Sequence, residues 1–201
     1  MLRHSRPTFQ QMLAWLMTEV AFARASIAIV KGLRRAEQSV LKSAPRFFDM
    51  TVGAHADSVV LQAASLYDRG RTTVSIHSLL SSATQDAETF RCGTATEVRK
   101  IVAEARAKVS SLEPILKAIR KRRNETKAHL APGPLVAPHT YLREGRVSNR
   151  EIDRFFEETG AILNSLSMLW CGKTAALDLP DAEDYKQALD LIARGVSRGA
   201  S

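Results

Sequence analysis

Apolar residues recur along this chain at steps of three and four positions, with polar residues between them. The first such stripe consists of Phe9, Met12, Leu13, Leu16, Met17 and Val20. This spacing places the apolar side chains on one face of an α-helix. The pattern continues toward Leu41, and Pro45 then marks a break. We therefore predict one long helix over this first part of the chain.

Further helices are predicted in the middle of the chain. Apolar positions indicate a helix over residues 47–67, and Gly70 lies where a C-terminal cap is expected. A short helix is predicted over residues 75–83. Thr94 is followed three positions later by Glu97, which is the pattern of a capping box. A third long helical element is therefore predicted to begin at this box.

This third long element contains a proline. Its apolar stripe is formed by Ile101, Ala105, Val109, Leu112, Leu116 and Ile119. Pro114 falls inside the stripe, so the helix is either kinked there or followed by a new helix that Ser111 caps. Because a proline-rich stretch follows, we expect the element to end near Leu130 and residues 131–147 to form a loop.

Two helices are predicted in the C-terminal part. Ser148 and Glu151 form a second capping box, and the apolar residues after them indicate the clearest amphipathic helix of the chain. A final short helix is predicted to start at Pro180, and we expect its tail from Gly195 to be frayed. Its predicted inward-facing residues are Tyr185, Ala188, Leu189 and Ile192.

The sequence as a whole predicts an all-α protein. It contains no alternating strand pattern and no internal repeat. Its 201 residues suit one domain. We predict a single helical domain over residues 1–201, built as a bundle of four to five main helices, with residues 176–201 as a short C-terminal helix and tail.

Positive charge is concentrated in one short segment. The formal net charge is +8, and residues 117–127 hold six basic residues but only one acidic residue, Glu125. The six are Lys117, Arg120, Lys121, Arg122, Arg123 and Lys127. Such a segment favours a polyanionic partner such as RNA, and the alternative is a solvated helix face without a partner.

The other composition signals indicate a cytoplasmic protein. Cys92 and Cys171 lie far apart, so we expect two free thiols in a reducing compartment. The apolar residues 13–30 include Glu19 and Arg24, and we interpret them as an amphipathic helix that does not span a membrane. The scattered histidines form no metal-binding pattern, so no metal or other cofactor is expected.

Within the basic segment, Arg123 continues the apolar stripe after Leu116 and Ile119. A guanidinium at such a position needs a carboxylate, a cleft or an interface, because its burial without a partner is costly. Asn124 beside it can orient polar groups, and His129 has an ordinary pKa near ~6.5 that suits general acid or base catalysis. These three residues are the predicted catalytic group for cleavage of RNA by its own 2′-hydroxyl.

Helix geometry complicates this prediction. Arg123 and His129 point about 120° apart on an α-helix, whereas Arg122 shares a face with His129. Either the helix is distorted, or a second copy of the chain completes the site. We favour a homodimer with one shared cleft and keep Arg122 as a substitute for Arg123. The alternative role for His129 is an interaction with the helix dipole at a C-terminus.

The segment from Arg123 to His129 resembles the signature of the HEPN superfamily, in which an arginine precedes a histidine with four to six residues between them. The closest resemblance is to the AbiU-like branch, which is associated with abortive infection in phage defence, and it covers residues 8–175. Supporting segments are Leu66-Tyr67-Asp68 and residues 75–80. Arg71 and His77 have the same spacing, but we reject this pair because it spans a turn and lacks basic neighbours.

The resemblance implies a HEPN-like helical bundle that acts as a homodimeric, metal-independent endoribonuclease, a toxin or phage-defence effector that leaves a 2′,3′-cyclic phosphate. Arg123 would stabilise phosphate charge, Asn124 would orient groups, and His129 would transfer protons. An antitoxin protein is a possible further partner. The predicted substrate-binding residues are Lys117, Arg120, Lys121, Arg122 and Lys127.

Two other functions stay open at this point. The chain could be a HEPN module that binds RNA without cutting it, or a regulatory helical bundle that binds an acidic protein partner. RNA affinity without cleavage products would indicate the first of these, and failure to bind RNA at low salt would indicate the second.

Overall fold

The computed structural model describes residues 7–70, 72–127, 147–178 and 184–199. Over these residues it contains eight α-helices, one 3₁₀ turn at Ala87–Thr89 and no strand. The helices are α1 (Phe9–Arg35), α2 (Gln38–Ser43), α3 (Pro45–Leu66), α4 (Ile76–Gln85), α5 (Ala95–Ser111), α6 (Glu113–Lys127), α7 (Asn149–Cys171) and α8 (Asp184–Gly199). The all-α prediction is confirmed. The helices outnumber the predicted ones because two predicted long helices are each divided.

The first division separates α1 from α2. The long first helix ends at Arg35 because the backbone of Ala36 is extended, with ψ at 154°. Pro45 is the first residue of α3, where its missing N–H costs no helical hydrogen bond. The predicted cap at Gly70 is wrong: α3 is capped at Tyr67. The Gly70 N–H instead donates to the Asp68 carboxylate, over 3.3 Å.

The second division separates α5 from α6. Of the two alternatives, a new helix is correct, but Ser111 does not cap it. The Ser111 hydroxyl donates back to the Lys108 carbonyl at 2.8 Å, so this residue belongs to the end of α5. Leu112 joins the two helices and is fully buried. Pro114 lies in the first turn of α6, where helices accept proline.

Both predicted capping boxes are present. The Thr94 hydroxyl oxygen accepts a hydrogen bond from the Glu97 N–H, and the Glu97 carboxylate accepts one from the Thr94 N–H at 2.7 Å. Ser148 and Glu151 form the same pair at the start of α7. The hydrogen bond from the Thr94 backbone lowers the pKa of Glu97, and the hydrogen bond from the Ser148 hydroxyl lowers the pKa of Glu151. Local sequence alone therefore fixes these two helix starts.

The main core forms around α1, which packs against α3, α4 and α7. Inside it, the Tyr67 and Thr159 hydroxyl oxygens lie 2.9 Å apart. Thr159 in turn donates to the Phe155 carbonyl at 2.7 Å. Burial raises the pKa of the Tyr67 phenol, so the side chain stays protonated. This polar pair joins the end of α3 to the middle of α7.

Helix α1 has the length and apolar composition of a membrane-spanning helix. Composition alone therefore does not exclude that α1 spans a membrane, contrary to the prediction made from Glu19 and Arg24. In the fold, Leu16, Val20 and Ala23 are almost fully buried against the other helices. Burial of this kind is what a central helix of a bundle requires, because its apolar stripe meets protein on several sides.

A smaller apolar cluster lies at the C-terminal end of α1. Leu33, Val40 and Phe48 form it, and α8 covers it with Leu189 and Ile192. Two predictions for this region are wrong. Ala188 is exposed, with Ala193 packing inward instead. Helix α8 also continues past Gly195 to Gly199. Pro180, the predicted start of this helix, lies outside the described residues.

Candidate functional site

The basic segment forms most of α6. Its apolar face packs against α3, and Leu116 and Ile119 on that face have no exposed surface. Lys117 and Lys121 lie on the exposed side. Lys127 is the last residue of the helix. The apolar stripe therefore positions a cationic surface along the outside of α6.

Arg123 and Asn124 are in direct contact. The Arg123 side chain is half-buried and donates from Nε and Nη2 to the Asn124 side-chain oxygen, over 3.3 and 3.1 Å. The acceptor is a neutral amide, so this contact orients the guanidinium and brings no negative charge to it. Such a cation suits the charge that develops on a phosphate under attack.

Arg122 lies on another side of the helix, since consecutive helical residues point about 100° apart. It is half-buried and lines a groove of about 480 Å³. Lys31 and Arg34 of α1 line the same groove, as does Ile152 near the start of α7. Lys31 also pairs with Asp153 at 2.7 Å. The two adjacent arginines thus face different surroundings, and the contact with the Asn124 side-chain amide belongs to Arg123.

Arg120 has a structural contact in addition to its predicted role. It donates to the Glu113 carboxylate at 2.8 Å and to the Tyr67 carbonyl at 3.4 Å. Glu113 also pairs with Arg69, over 3.6 Å. These contacts join the end of α3 to α6. Binding of RNA by Arg120 stays a prediction, and it would compete with this arrangement for the guanidinium.

His129, the predicted proton-transfer residue, lies outside the described residues. Its separation from Arg123 therefore stays a prediction based on helix geometry. The same holds for the shared cleft between two copies of the chain. What the structure provides for the site is the Arg123–Asn124 pair and the cationic surface of α6 that surrounds it.

Comparison with protein families matches residues 7–191 to the HEPN_AbiU2 family, described as AbiU2. The chain belongs to the AbiU2 family of HEPN proteins. This is an abortive-infection phage-defence family, so the resemblance inferred from the sequence is confirmed. The match covers the predicted core over residues 8–175 and extends into α8. Comparisons with curated proteins and with solved structures gave no match.

The AbiU2 chain also contains a histidine whose surroundings the sequence did not predict. The His77 ring packs edge-on against Tyr67, with 6.1 Å between ring centroids, and its Nε2 is buried without a hydrogen-bond partner among the described residues. Burial lowers the pKa of His77, and the charges of Arg69 and Arg120 lower it further, against an opposing contribution from Glu113. His77 is therefore neutral near pH 7.

The arginine paired with His77 by sequence spacing was Arg71, and Arg71 lies outside the described residues. The arginines that affect His77 are instead Arg69 and Arg120. Arg120 is 43 positions away in the sequence, and the two meet only because α6 packs beside the turn after α3. A fixed spacing motif has no means of identifying such a neighbour.

The described part of the AbiU2 chain offers no metal site: no three His, Cys, Asp or Glu side chains converge within it. Cys92 and Cys171 are both free, as predicted, and both are exposed. The described part of the site offers a guanidinium, an amide and exposed ammonium groups. Groups of these kinds can bind phosphate.

Proposed function

We propose that this AbiU2 protein is a metal-independent endoribonuclease in which two copies of the chain build one cleft from Arg123, Asn124 and His129. The observation that carries the proposal is the contact between the half-buried Arg123 guanidinium and the Asn124 amide. It presents an oriented cation whose charge no carboxylate neutralises in that contact, on the most basic helix of the chain.

The reaction needs only groups of this kind. One His129 acts as base and removes the proton of the RNA 2′-hydroxyl. The 2′-oxygen attacks the adjacent phosphorus, and Arg123 balances the added charge on the phosphorane. The His129 imidazolium formed in this way then donates the proton to the departing 5′-oxygen. The products are a 2′,3′-cyclic phosphate and a free 5′-hydroxyl, so all atoms and protons are accounted for.

RNA is the proposed partner, and the cationic surface of α6 supports it. Lys117 and Lys121 are exposed and can contact phosphates on either side of the scissile linkage. Lys127 and Arg122 are proposed to add to the same electrostatic attraction. An antitoxin that covers this surface would silence the enzyme, and an acidic protein is the class that complements it.

The test is cleavage of a labelled RNA by the purified full chain in the presence of EDTA. Arg123→Gln and His129→Ala should each lower the rate by about 10²-fold or more. Arg154→Gln is the matched control, because it removes one exposed positive charge from α7 and leaves α6 unchanged. Circular dichroism verifies that each variant is folded. Equal rates for all four proteins would overturn the proposal.

A non-catalytic RNA-binding module is the second candidate, and the exposed lysines of α6 favour it without requiring His129. In that case the wild type binds RNA with strong salt dependence and produces no cyclic phosphate. The same cleavage assay, accompanied by a binding measurement, separates the two functions.

A further inference from the structure

A second cationic groove lies at the other end of α6, between α4, α5 and the turn after α3. Its volume is about 710 Å³. Polar and charged residues line much of it, namely Arg69, His77, Ser81, Arg106, Ser110 and Glu113. Leu80 and Val109 contribute apolar surface. The groove thus combines cations, hydroxyl groups and an apolar wall, which together suit a sugar-phosphate unit.

The charges in and beside this groove do not cancel. Glu113 is the carboxylate that lines it, and it is shared between Arg69, at 3.6 Å, and Arg120, at 2.8 Å. Arg106 donates to the Thr84 hydroxyl over 3.4 Å, and that acceptor is neutral. With three guanidiniums to one carboxylate and a neutral His77, the groove retains positive charge. An anion of one or two charges would complement it.

A single face of α6 connects this groove to the candidate catalytic site. Glu113, Lys117, Arg120 and Asn124 follow one another at steps of four, three and four residues. Such steps place them within about 60° of one another around the helix. The ten residue-to-residue steps from Glu113 to Arg123 span about 15 Å along the axis. The Asn124 amide holds the Arg123 guanidinium at the far end of this face.

We propose that the groove around Arg69 and Arg106 binds a phosphate of the RNA strand a few nucleotides from the scissile linkage. The proposal rests on the proposed function, because the strand would follow the Lys117 face of α6 from the groove to Arg123. The groove would then set how the substrate lies on the protein, while bond breaking occurs only at the other end of the helix.

The test measures binding of a fluorescein-labelled, single-stranded RNA of mixed sequence by fluorescence anisotropy over a salt series. All proteins carry His129→Ala to prevent cleavage. Arg69→Gln with Arg106→Gln should weaken binding several-fold and lower the salt slope by about 0.7 for each phosphate that the protein no longer neutralises. Both side chains are exposed, so these changes do not disturb the core.

The matched control is Arg99→Gln combined with Lys100→Gln. Arg99 and Lys100 lie on α5, as Arg106 does, but outside the groove. Their substitution removes two positive charges, as the groove variant does. Arg99 pairs with Glu88 at 3.0 Å, and Lys100 pairs with Glu104 at 4.0 Å. If the groove variant has the same affinity and salt slope as this control, the proposal is overturned.

Two further outcomes separate the groove from the catalytic proposal. If the wild type cleaves RNA but the groove variant and the control variant bind RNA equally well, the phosphate site in the groove is overturned and the ribonuclease proposal stands. If the wild type never cleaves RNA but the groove substitutions weaken its RNA binding, the ribonuclease proposal is overturned and the phosphate site in the groove is supported.

Inorganic phosphate distinguishes a small-anion site from an RNA contact. Its binding is followed by the side-chain nitrogen NMR signals of His77, which lines the groove. A shift of these signals by phosphate alone, with no effect of the groove variants on RNA affinity, overturns the RNA assignment. A shift together with weaker RNA binding supports it.

Discussion

The guanidinium of Arg123 donates from both Nε and Nη2 to one acceptor, the side-chain oxygen of Asn124, at 3.3 and 3.1 Å. A carboxylate in this position would orient the arginine equally well but would also neutralise it. The amide separates these two effects. It limits the freedom of a long side chain and leaves the positive charge for a phosphate.

This relationship predicts different results for two substitutions of Asn124. Asn124→Ala should slow RNA cleavage about tenfold, because the guanidinium loses its orientation but keeps its charge. Asn124→Asp should slow cleavage more and also lower the salt slope of RNA binding, since the new carboxylate pairs with Arg123. Single-turnover cleavage and anisotropy measure the two effects. Equal rates for wild type and Asn124→Ala would contradict the orienting role.

The buried pair Tyr67–Thr159 should contribute to stability through its hydrogen bond. Tyr67→Phe is expected to lower the free energy of unfolding by about 1 kcal/mol. Thr159→Val should cost more than that, because the Thr159 hydroxyl also donates to Phe155. Urea unfolding of both single variants and the double variant gives the coupling energy. Strictly additive losses would show that the 2.9 Å contact contributes nothing.

His77 should make the protein less stable in mild acid. Its lowered pKa means that the folded state resists protonation of the ring. Full stability is therefore expected above the unfolded-state pKa of ~6.5, and a progressive loss as the pH falls through the folded-state pKa. His77→Gln should reduce the loss between pH 7.5 and 5.5, as measured by urea unfolding. Glu97 and Glu151 stay ionised in this range because their pKa values are lowered as well.

An unchanged pH dependence in His77→Gln would contradict this assignment. It would mean that neither burial nor the charges of Arg69 and Arg120 lower the pKa of the His77 ring in solution.

Two glycines should respond in opposite directions to alanine. Gly172 ends α7 in the left-handed region, at φ 69°, so Gly172→Ala should cost about 1 kcal/mol. Gly53 lies inside α3, and no atom outside its own helix backbone lies within 4 Å of the position that a Cβ would take, so Gly53→Ala should stabilise the protein by about 0.5–1 kcal/mol. Thermal unfolding of both variants measures this. A stabilised Gly172→Ala would show that α7 ends in another conformation in solution.

The predictable parts of the fold were those fixed by neighbouring residues. The capping boxes at Thr94 and Ser148 were found because each uses residues three positions apart. The end of α1 was missed because Ala36 carries no side-chain stop signal. Ala188 was misplaced because tertiary packing, rather than the helical period alone, decides which face of α8 meets the α1–α3 cluster.

In the candidate site, too, residues that are neighbours in the sequence could be predicted and features that depend on tertiary packing could not. Arg123 and Asn124 are adjacent in sequence and were both predicted as site residues, but their hydrogen bond was not predicted. The apolar stripe of α6 indicated only that the guanidinium needs a carboxylate, a cleft or an interface. The groove is different, because Arg69, His77 and Arg106 come from separate elements. Its charge depends on how Glu113 is shared between two arginines. Only the packing of α4, α5 and α6 brings these groups together.

We infer that Arg123 and His129 from two copies of the chain act on one phosphodiester. The most direct measurement mixes two inactive proteins, Arg123→Gln and His129→Ala, allows their subunits to exchange, and follows cleavage of a labelled RNA. We expect the mixture to regain activity, because a mixed dimer supplies an intact arginine and an intact histidine to the shared cleft. A mixture that stays as inactive as its two parents, after exchange has been verified, would contradict it.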